Sequence, residues 1–301
     1  MSQPPAIPDA VRALMAEVGP RWSGNTAGNV KMMIEAFTPI LKAAPKDGVK
    51  VSRNQAYGKH ARQILDVYAP SSASNAPVIM FVHGGAFVDG EKDRTDEIYS
   101  NVLYFFARHG MVGINMEFRL APEAQYPGGA QDVGLAVAWA RENVAKCGGD
   151  AKKIFVMGHS AGAAHAGLYA YDKRLWPVNG VGVAGLIVVS GRVRADNLPE
   201  NPNAKKVEAY FGTDTKLMED GSPVNHVNAA SVPTFVAMAE FENPLLDLYC
   251  SELIYRLAQA KRRAPPSMWL RGHNHTSIIA HFNTAEEALG QAIIEFVRAT
   301  V

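Results

Sequence analysis

The sequence predicts an α/β fold in which a mostly parallel central sheet is covered by helices on both faces. Two observations support this class. From residue 76 onward, short apolar segments alternate with amphipathic ones, as expected of strands that are joined by helical crossovers. The strand predicted at Ile154–Met157 is followed at once by a glycine-bounded turn and a helix of small residues. With 301 residues, of which 48% are hydrophobic and 20% charged, the chain suits one large domain of this kind.

Two helices are predicted before the first strand. Pro8–Val18 and Asn29–Lys42 both repeat apolar residues at steps of three and four, and Arg21–Asn25 separates them. We expect residues 1–46 to form an N-terminal helical cap or lid, and residues 47–301 to form the main α/β domain. The alternative is that these helices simply pack on the outside of the core.

The order of the remaining elements follows from the same patterns. An antiparallel hairpin is predicted at Val49–Tyr57 and Ala61–Ala69. The further strands are Ala76–Val82, Met111–Phe118, Ile154–Met157, Val183–Val189, Pro233–Ala239 and Pro266–Arg271, and the helices are Asp96–Arg108, Gly129–Lys146, Ala163–Ala170, Leu246–Lys261 and Glu286–Arg298. Residues 191–230 are polar and rich in Pro, Asn, Asp and Gly, so we expect a long loop near the pocket.

Charge and cysteine content argue against several classes of function. The net charge of +1 provides no long-range field for nucleic acid or an anionic membrane. Cys147 and Cys250 are the only cysteines, and neither has a metal-ligand spacing. The N-terminus lacks the basic and apolar regions of a signal peptide, and no apolar run approaches the ~18 residues of a membrane span. We therefore expect a cytoplasmic protein without a metal or cofactor.

The candidate nucleophile is Ser160. Gly158-His159-Ser160-Ala161-Gly162 fits the pattern Gly-x-Ser-x-Gly between a predicted strand and a predicted helix, which is the context that this pattern needs. The sharp turn exposes the serine hydroxyl above the sheet edge, and the two glycines let strand and helix approach closely. An ordinary serine in a glycine-rich turn is the alternative.

A serine nucleophile needs a base, and we expect His275 to supply it. In this type of site the acid and then the histidine follow the serine along the chain, each on a loop after a strand. His275 follows the last predicted strand and stands just before Thr276-Ser277. His273 is the fallback, and a surface or capping histidine is the alternative interpretation.

The acid is expected on the loop after the strand Pro233–Ala239, where three carboxylates compete. Glu242 lies three residues past the strand, and we choose it as the acid. Asp247 is the alternative acid, although a negative charge at a helix N-terminus has its own stabilising effect. Glu240 is expected to be a structural partner at the strand end.

Backbone amides are expected to stabilise the oxyanion. One belongs to Ala161, the residue after the nucleophile, and the others to the glycines that follow His83. Gly84 and Gly85 let the backbone turn its N–H groups towards one point without a Cβ in the way. His83 is expected to brace this loop through hydrogen bonds rather than to act as a base.

These motifs resemble those of hormone-sensitive-lipase-like and feruloyl-esterase/arylformamidase-like (BD-FAE-type) α/β hydrolases. The resemblance covers about residues 76–171 and rests on His83–Phe87, Phe118–Glu123, Tyr126-Pro127, Asp132 and Gly158–Gly162. It implies an α/β-hydrolase fold, carboxylic-ester hydrolysis without a cofactor, Ser160 as the nucleophile and His275 as the base. After residue 190 few residues match the family. Where the family has Asp-Pro, this chain has Glu242-Asn243-Pro244.

The expected function is therefore that of a serine carboxylesterase acting on small-molecule esters. Short acyl chains or compact aromatic esters are expected, with Trp22, Met33, Phe37 and Phe211 able to line either a pocket or the core. An arylformamidase or other small amide hydrolase would use the same triad. A small-molecule receptor on the same fold is the non-enzyme alternative, against which the histidine at the expected place argues. A homodimer is a further possibility, whereas nucleic acid and membrane are not expected as partners.

Overall fold

Eight strands form one sheet in the computed structural model, which describes residues 2–301. They are β1 (Val49–Ala56), β2 (Ile64–Pro70), β3 (Ala76–Val82), β4 (Val112–Met116), β5 (Gly149–His159), β6 (Gly185–Val189), β7 (Thr234–Phe241) and β8 (Ser267–Asn274). Their spatial order is β1-β2-β4-β3-β5-β6-β7-β8. β2 pairs antiparallel with both β1 and β4, and every later pairing is parallel. The mostly parallel sheet entered through an antiparallel hairpin is thus confirmed.

Ten α-helices accompany the sheet in this part of the chain. They are α1 (Asp9–Val18), α2 (Thr26–Lys42), α3 (Ser100–Arg108), α4 (Gly128–Asn143), α5 (Ala161–Tyr171), α6 (Ala204–Phe211), α7 (Thr215–Asp220), α8 (Leu246–Lys261), α9 (Ser277–Ala280) and α10 (Ala288–Thr300). A 3₁₀ segment, Gly19–Asn25, joins α1 to α2. Every one of these helices is too short or too polar to cross a lipid bilayer.

The sheet separates two apolar layers. Successive strand side chains point to opposite faces, so the central strand β3 contributes Ile79 and Phe81 to one layer and Met80 and Val82 to the other. The first layer includes residues of α1, α2, α3 and α10, and the second includes residues of α4, α5 and α8. Because the helices cover both faces, the carboxyl edge of the parallel strands is the place left for a site.

The segment 191–230 differs from the prediction, because it is not one long loop. It forms α6, α7 and a 3₁₀ turn at Pro223–His226. In α6 the buried residues Val207, Tyr210 and Phe211 form a face only two turns long, which is too short to stand out among the polar residues around it. Smaller differences concern ends: α3 begins at Ser100 rather than Asp96, and β5 begins at Gly149 rather than Ile154.

Candidate active site

The turn between β5 and α5 holds Ser160 in a strained backbone conformation. Its φ of 55° and ψ of −124° lie outside the regions that a serine normally adopts, which costs about 1 to 3 kcal/mol. A Cβ on Gly158 would lie 2.4 Å from Ala163 Cα, and one on Gly162 would lie 2.1 Å from Val82 O. The two glycines are therefore required for strand and helix to meet so closely.

His275 directly follows β8 and is held from two sides. Its Nδ1 lies 2.7 Å from Glu242 Oε2, and its backbone N–H donates to Phe241 O at 3.0 Å. The imidazole is only 6% exposed and the Glu242 side chain 3%. Since an ionised carboxylate can only accept, this contact puts the proton on Nδ1 and leaves Nε2 as the basic nitrogen.

Glu242 directly follows β7 and is itself fixed by donors. Its Oε1 accepts a hydrogen bond from the Ala239 backbone N–H at 2.7 Å and another from the Ser190 hydroxyl. Ser190 stands at the end of β6, with a φ of 48°. The sequence analysis missed Ser190, because its role depends on β6 and β7 being neighbours in the sheet. Both oxygens of the Glu242 carboxylate accept hydrogen bonds. The carboxylate is therefore held in place although glutamate has one methylene more than aspartate.

The competing residues lie elsewhere. Asp247 is exposed in the first turn of α8. Glu240 accepts a hydrogen bond from the Gly272 backbone N–H at 2.7 Å, which ties β7 to β8. His273 is buried, and its Nε2 lies 2.8 Å from Glu286 Oε1. The structure thus brings Glu242, and not these alternatives, against His275.

The loop after β3 passes directly over the serine. A Cβ on Gly84 would lie 2.9 Å from Ser160 Cβ. Gly85 has a φ of 141°, and a Cβ there would lie 1.7 Å from Asp89 O. These two positions therefore exclude any side chain. Ala86, with a φ of 50°, also lines the cavity.

His83 and Tyr99 hold this loop from below. The His83 ring nitrogens lie 2.6 Å from Gly84 O and 2.7 Å from Glu117 Oε1. Burial raises the pKa of the Tyr99 hydroxyl, and a hydrogen bond from the Gly84 backbone opposes that rise. His83 contacts the loop in the bracing role expected from the sequence.

His159, the residue before the serine, packs beneath His275. Their ring centroids are 4.7 Å apart, and His159 Nε2 lies 3.0 Å from His275 O. Burial and the neighbouring His275 hold the pKa of His159 well below 6.5, so this imidazole is neutral at neutral pH. Because a carbonyl only accepts, the proton sits on Nε2, and the buried Nδ1 keeps an unused lone pair.

Ser160 and His275 line one cavity of about 620 Å³. Its wall includes residues of the N-terminal segment from Ser23 to Ile34 and residues of the 191–230 segment. The aromatic and apolar candidates from the sequence are instead core residues, because all are at most 3% exposed and none lines the cavity: Trp22, Met33, Phe37 and Phe211. Residues 2–301 contain no group of three His, Cys, Asp or Glu side chains placed to hold a metal ion.

Comparison with known proteins gives consistent likenesses. A family model described as BD-FAE matches residues 65–245. The chain is 32% identical over 201 residues to "Esterase LipC" of Mycobacterium tuberculosis, which covers 61% of this chain and 49% of that protein. It is 32% identical over 140 residues to an "Arylesterase" of Saccharolobus solfataricus, covering 45% of each. The matches thus span about half the length of these relatives.

Solved structures resemble the chain over nearly its whole length. A hyperthermophilic esterase from the archaeon Pyrobaculum calidifontis superposes with a TM-score of 0.71 at 21% identity, covering 98% of both chains. A structure titled "Bacterial Heroin Esterase" gives a TM-score of 0.70 at 21% identity, also over 98% of both. At these identities the likeness concerns the fold.

Proposed function

The chain belongs to the BD-FAE family and has the α/β-hydrolase fold, and from this premise we propose that it is a serine carboxylesterase. One observation carries the proposal: the strained Ser160 and the Glu242-paired His275 line the same cavity. Backbone strain at a serine that lines the same cavity as an oriented imidazole is typical of a functional site. Relatives named esterase and arylesterase agree with this activity.

The proposed reaction begins with acylation of Ser160. His275 Nε2 takes the hydroxyl proton while Ser160 Oγ attacks the ester carbonyl carbon. The N–H groups of Gly84, Gly85 and Ala161 donate to the carbonyl oxygen as it becomes negative. His275 then gives its proton to the departing alkoxide, and an alcohol leaves the acyl-enzyme.

Deacylation repeats these steps with water. His275 Nε2 removes a proton from a water molecule as its oxygen attacks the acyl carbon. The second tetrahedral intermediate collapses when Ser160 Oγ leaves and takes the proton back from His275, which releases the carboxylic acid. Glu242 accepts from Nδ1 throughout, so it keeps the imidazole in one tautomer and stabilises the imidazolium.

The proposed substrates are short-chain or compact aromatic esters. A cavity of about 620 Å³ lies within the range of pockets that enclose a small organic molecule. Its branched aliphatic side chains are those of Val30, Ile34, Ile98, Leu246 and Ile279, interspersed with polar lining residues, which favours a short acyl chain.

We further propose that residues 1–46 act as a cap over this cavity. Ser23, Thr26 and Val30 supply part of its wall. Trp22 Nε1 donates a hydrogen bond to Asn243 Oδ1 at 2.8 Å, which ties the cap to the residue after Glu242. The cap is therefore coupled to the loop that carries the acid. The homodimer and the cytoplasmic location expected from the sequence stay predictions.

Hydrolysis of p-nitrophenyl acetate by wild-type protein and Ser160→Ala tests the proposal. The variant is expected to lose nearly all turnover while its thermal unfolding stays cooperative. Wild-type rates in Ser160→Ala would refute it. A parallel comparison of kcat/KM on short esters and an N-formyl arylamine separates the esterase from an arylformamidase.

A further inference from the structure

The catalytic cavity carries an excess of positive side chains. Arg94, Arg192 and Lys206 line it, whereas Asp89 is the one carboxylate among the lining residues. Within residues 2–301, none of the three cations forms an ion pair with a carboxylate. Arg94 and Lys206 are exposed and sit in water, but Arg192 is only 2% exposed. The buried arginine therefore needs a separate explanation.

Arg192 has fewer partners than its guanidinium can use. Its Nη2 donates to Asn201 Oδ1 at 3.3 Å, and its Cζ lies 5.6 Å from the centre of the Tyr249 ring. The Tyr249 hydroxyl also interacts with the guanidinium. Its Nη1 is buried without a hydrogen-bond partner. A buried donor left unsatisfied is rare in native proteins and typically marks a functional group or a bound partner. The neutral Asn201 amide and the Tyr249 ring contact the Arg192 guanidinium but do not neutralise its charge.

The neighbouring carboxylate, Asp196, compensates the charge of Arg192 only in part. Asp196 accepts hydrogen bonds from the Tyr249 hydroxyl and from Asn201 Nδ2, at 3.1 Å in the latter case. Burial lowers the pKa of Arg192, and Tyr249 and Asp196 only partly oppose that effect. An arginine side chain nevertheless keeps its proton in proteins, so the cavity wall holds a charged group that no carboxylate contacts directly.

The backbone places Arg192 next to the nucleophile. The backbone N–H of Arg192 donates a hydrogen bond to Ser160 O at 2.9 Å. Arg192 also lies two residues after Ser190, whose hydroxyl contacts Glu242. A substrate ester attached to Ser160 therefore lies within a side chain's length of this residue. A planar guanidinium with an unused donor is suited to a carboxylate, which accepts two hydrogen bonds at once.

We propose that Arg192 binds a carboxylate of the substrate, so that the enzyme prefers esters that carry a second, ionised carboxyl group. This inference rests on the proposed esterase function and specifies its substrate class. The carboxylate supplies the missing counter-ion and the acceptor for Nη1. The exposed Arg94 and Lys206 add an attractive field at the cavity wall, which raises the encounter rate with anionic esters.

The test compares charged and neutral esters of matched size. On the acyl side, the mono-4-nitrophenyl ester of adipic acid is set against the corresponding ester of adipamic acid. On the alcohol side, 4-acetoxybenzoate is set against 4-acetoxybenzamide. We expect the wild type to prefer the charged member of at least one pair, and Arg192→Met to reduce that preference about 10- to 100-fold.

Two matched variants sharpen this comparison. Arg192→Lys keeps the charge but loses the planar fork, so it should retain part of the preference. Arg94→Gln removes an exposed lining cation and should change the preference less than about threefold, with an effect that fades at high salt. If Arg192→Met slows charged and neutral esters by the same factor in both pairs, Arg192 acts on the reaction itself and the proposal is wrong.

A binding experiment separates this proposal from the esterase function. Adipate should raise the Tm of the Ser160→Ala protein, whereas adipamide should not, and Arg192→Met should abolish the shift. If neutral esters are hydrolysed but adipate causes no Arg192-dependent shift, the carboxylate site is refuted and the esterase stands. If the shift occurs but no ester is hydrolysed, the anion site stands and the esterase is refuted.

Discussion

Replacing Glu242 with glutamine changes one oxygen to an NH₂ group and tests how the acid controls His275. The Ala239 backbone N–H, 2.7 Å from Oε1, can only donate, so the glutamine must place its carbonyl oxygen there. Its NH₂ group then faces His275 Nδ1, 2.7 Å from Oε2 in the wild type. That contact forces Nδ1 to accept and moves the ring proton to Nε2, which can no longer take the proton of Ser160.

Two contributions set the size of the effect. Turning the amide the other way restores the correct tautomer but buries two donors against each other, at a cost of about 1 to 3 kcal/mol. The lost negative charge removes a charge-assisted hydrogen bond to the imidazolium, worth about 1.5 to 3 kcal/mol. A sum of about 4 kcal/mol lowers kcat by about 1,000-fold.

The assay is hydrolysis of p-nitrophenyl acetate under saturating substrate, with far-UV circular dichroism as a check on folding. Asp247→Asn is the matched control, because Asp247 is exposed in the first turn of α8. We expect that variant to stay within about twofold of wild type, since exposed charges contribute little. A Glu242→Gln protein that keeps more than about a tenth of wild-type kcat would refute the tautomer argument.

Three further changes have defined outcomes. Gly85→Ala places a Cβ 1.7 Å from a carbonyl oxygen of its own loop, so kcat/KM should fall at least about 100-fold. Ser190→Ala removes one donor to Glu242 and should lower kcat about 10-fold with little change in KM. A hydrogen bond from His273 lowers the pKa of Glu286 from 4.5 to about 2, so Glu286→Gln should lose up to about 3 kcal/mol of unfolding free energy near neutral pH. Because the folded-state pKa is the lower one, this loss should shrink as pH falls from 4.5 towards about 2 in urea titrations.

Each of these three predictions has a control and an outcome that would contradict it. Gly24→Ala adds a Cβ with nothing within 4 Å and should leave kcat/KM near wild type, whereas equal losses in the Gly24 and Gly85 variants would refute the steric argument. Ser251→Ala removes an exposed hydroxyl on α8 and should keep the wild-type kcat, whereas an unchanged kcat in Ser190→Ala would contradict the role of the Ser190 hydroxyl. A Glu286→Gln effect on stability that does not change between pH 7 and pH 2 would contradict the lowered pKa of Glu286.

The sheet and its main helices could be predicted because their signals are local. β3 was expected at Ala76–Val82 and α8 at Leu246–Lys261, and both have these bounds. Apolar strands and long amphipathic helices repeat their pattern over enough residues to be recognised. The helices α6 and α7 have eight and six residues, so their apolar faces are too short for a pattern.

The candidate site was predictable where the chemistry lies within one short segment. Ser160, Gly84 and Gly85 stand in motifs whose glycines are demanded by close backbone approach. The contact of Glu242 with His275 could be expected because the two residues follow successive strands of a parallel sheet, β7 and β8. Ser190 was not foreseen, since nothing next to it in the chain indicates a contact with the acid.

Arg192 was missed for a different physical reason. Most arginine side chains in proteins are exposed, so burial of Arg192 is not expected from the sequence. Its 2% exposure results from the packing of β6, α8 and the 191–230 segment. The Trp22–Asn243 hydrogen bond is equally non-local, because it joins the cap to the loop after β7. Such contacts become visible only once the fold is assembled.

Labelling with a fluorophosphonate, located by mass spectrometry of peptides, is the most direct test of Ser160 as the nucleophile. The reagent modifies only a serine whose hydroxyl is activated by a neighbouring base. We expect one label per chain, on Ser160, with loss of p-nitrophenyl acetate hydrolysis in proportion to labelling and no labelling in His275→Ala. Continued hydrolysis by protein fully labelled at Ser160, or a label on another serine that alone abolishes activity, would contradict it.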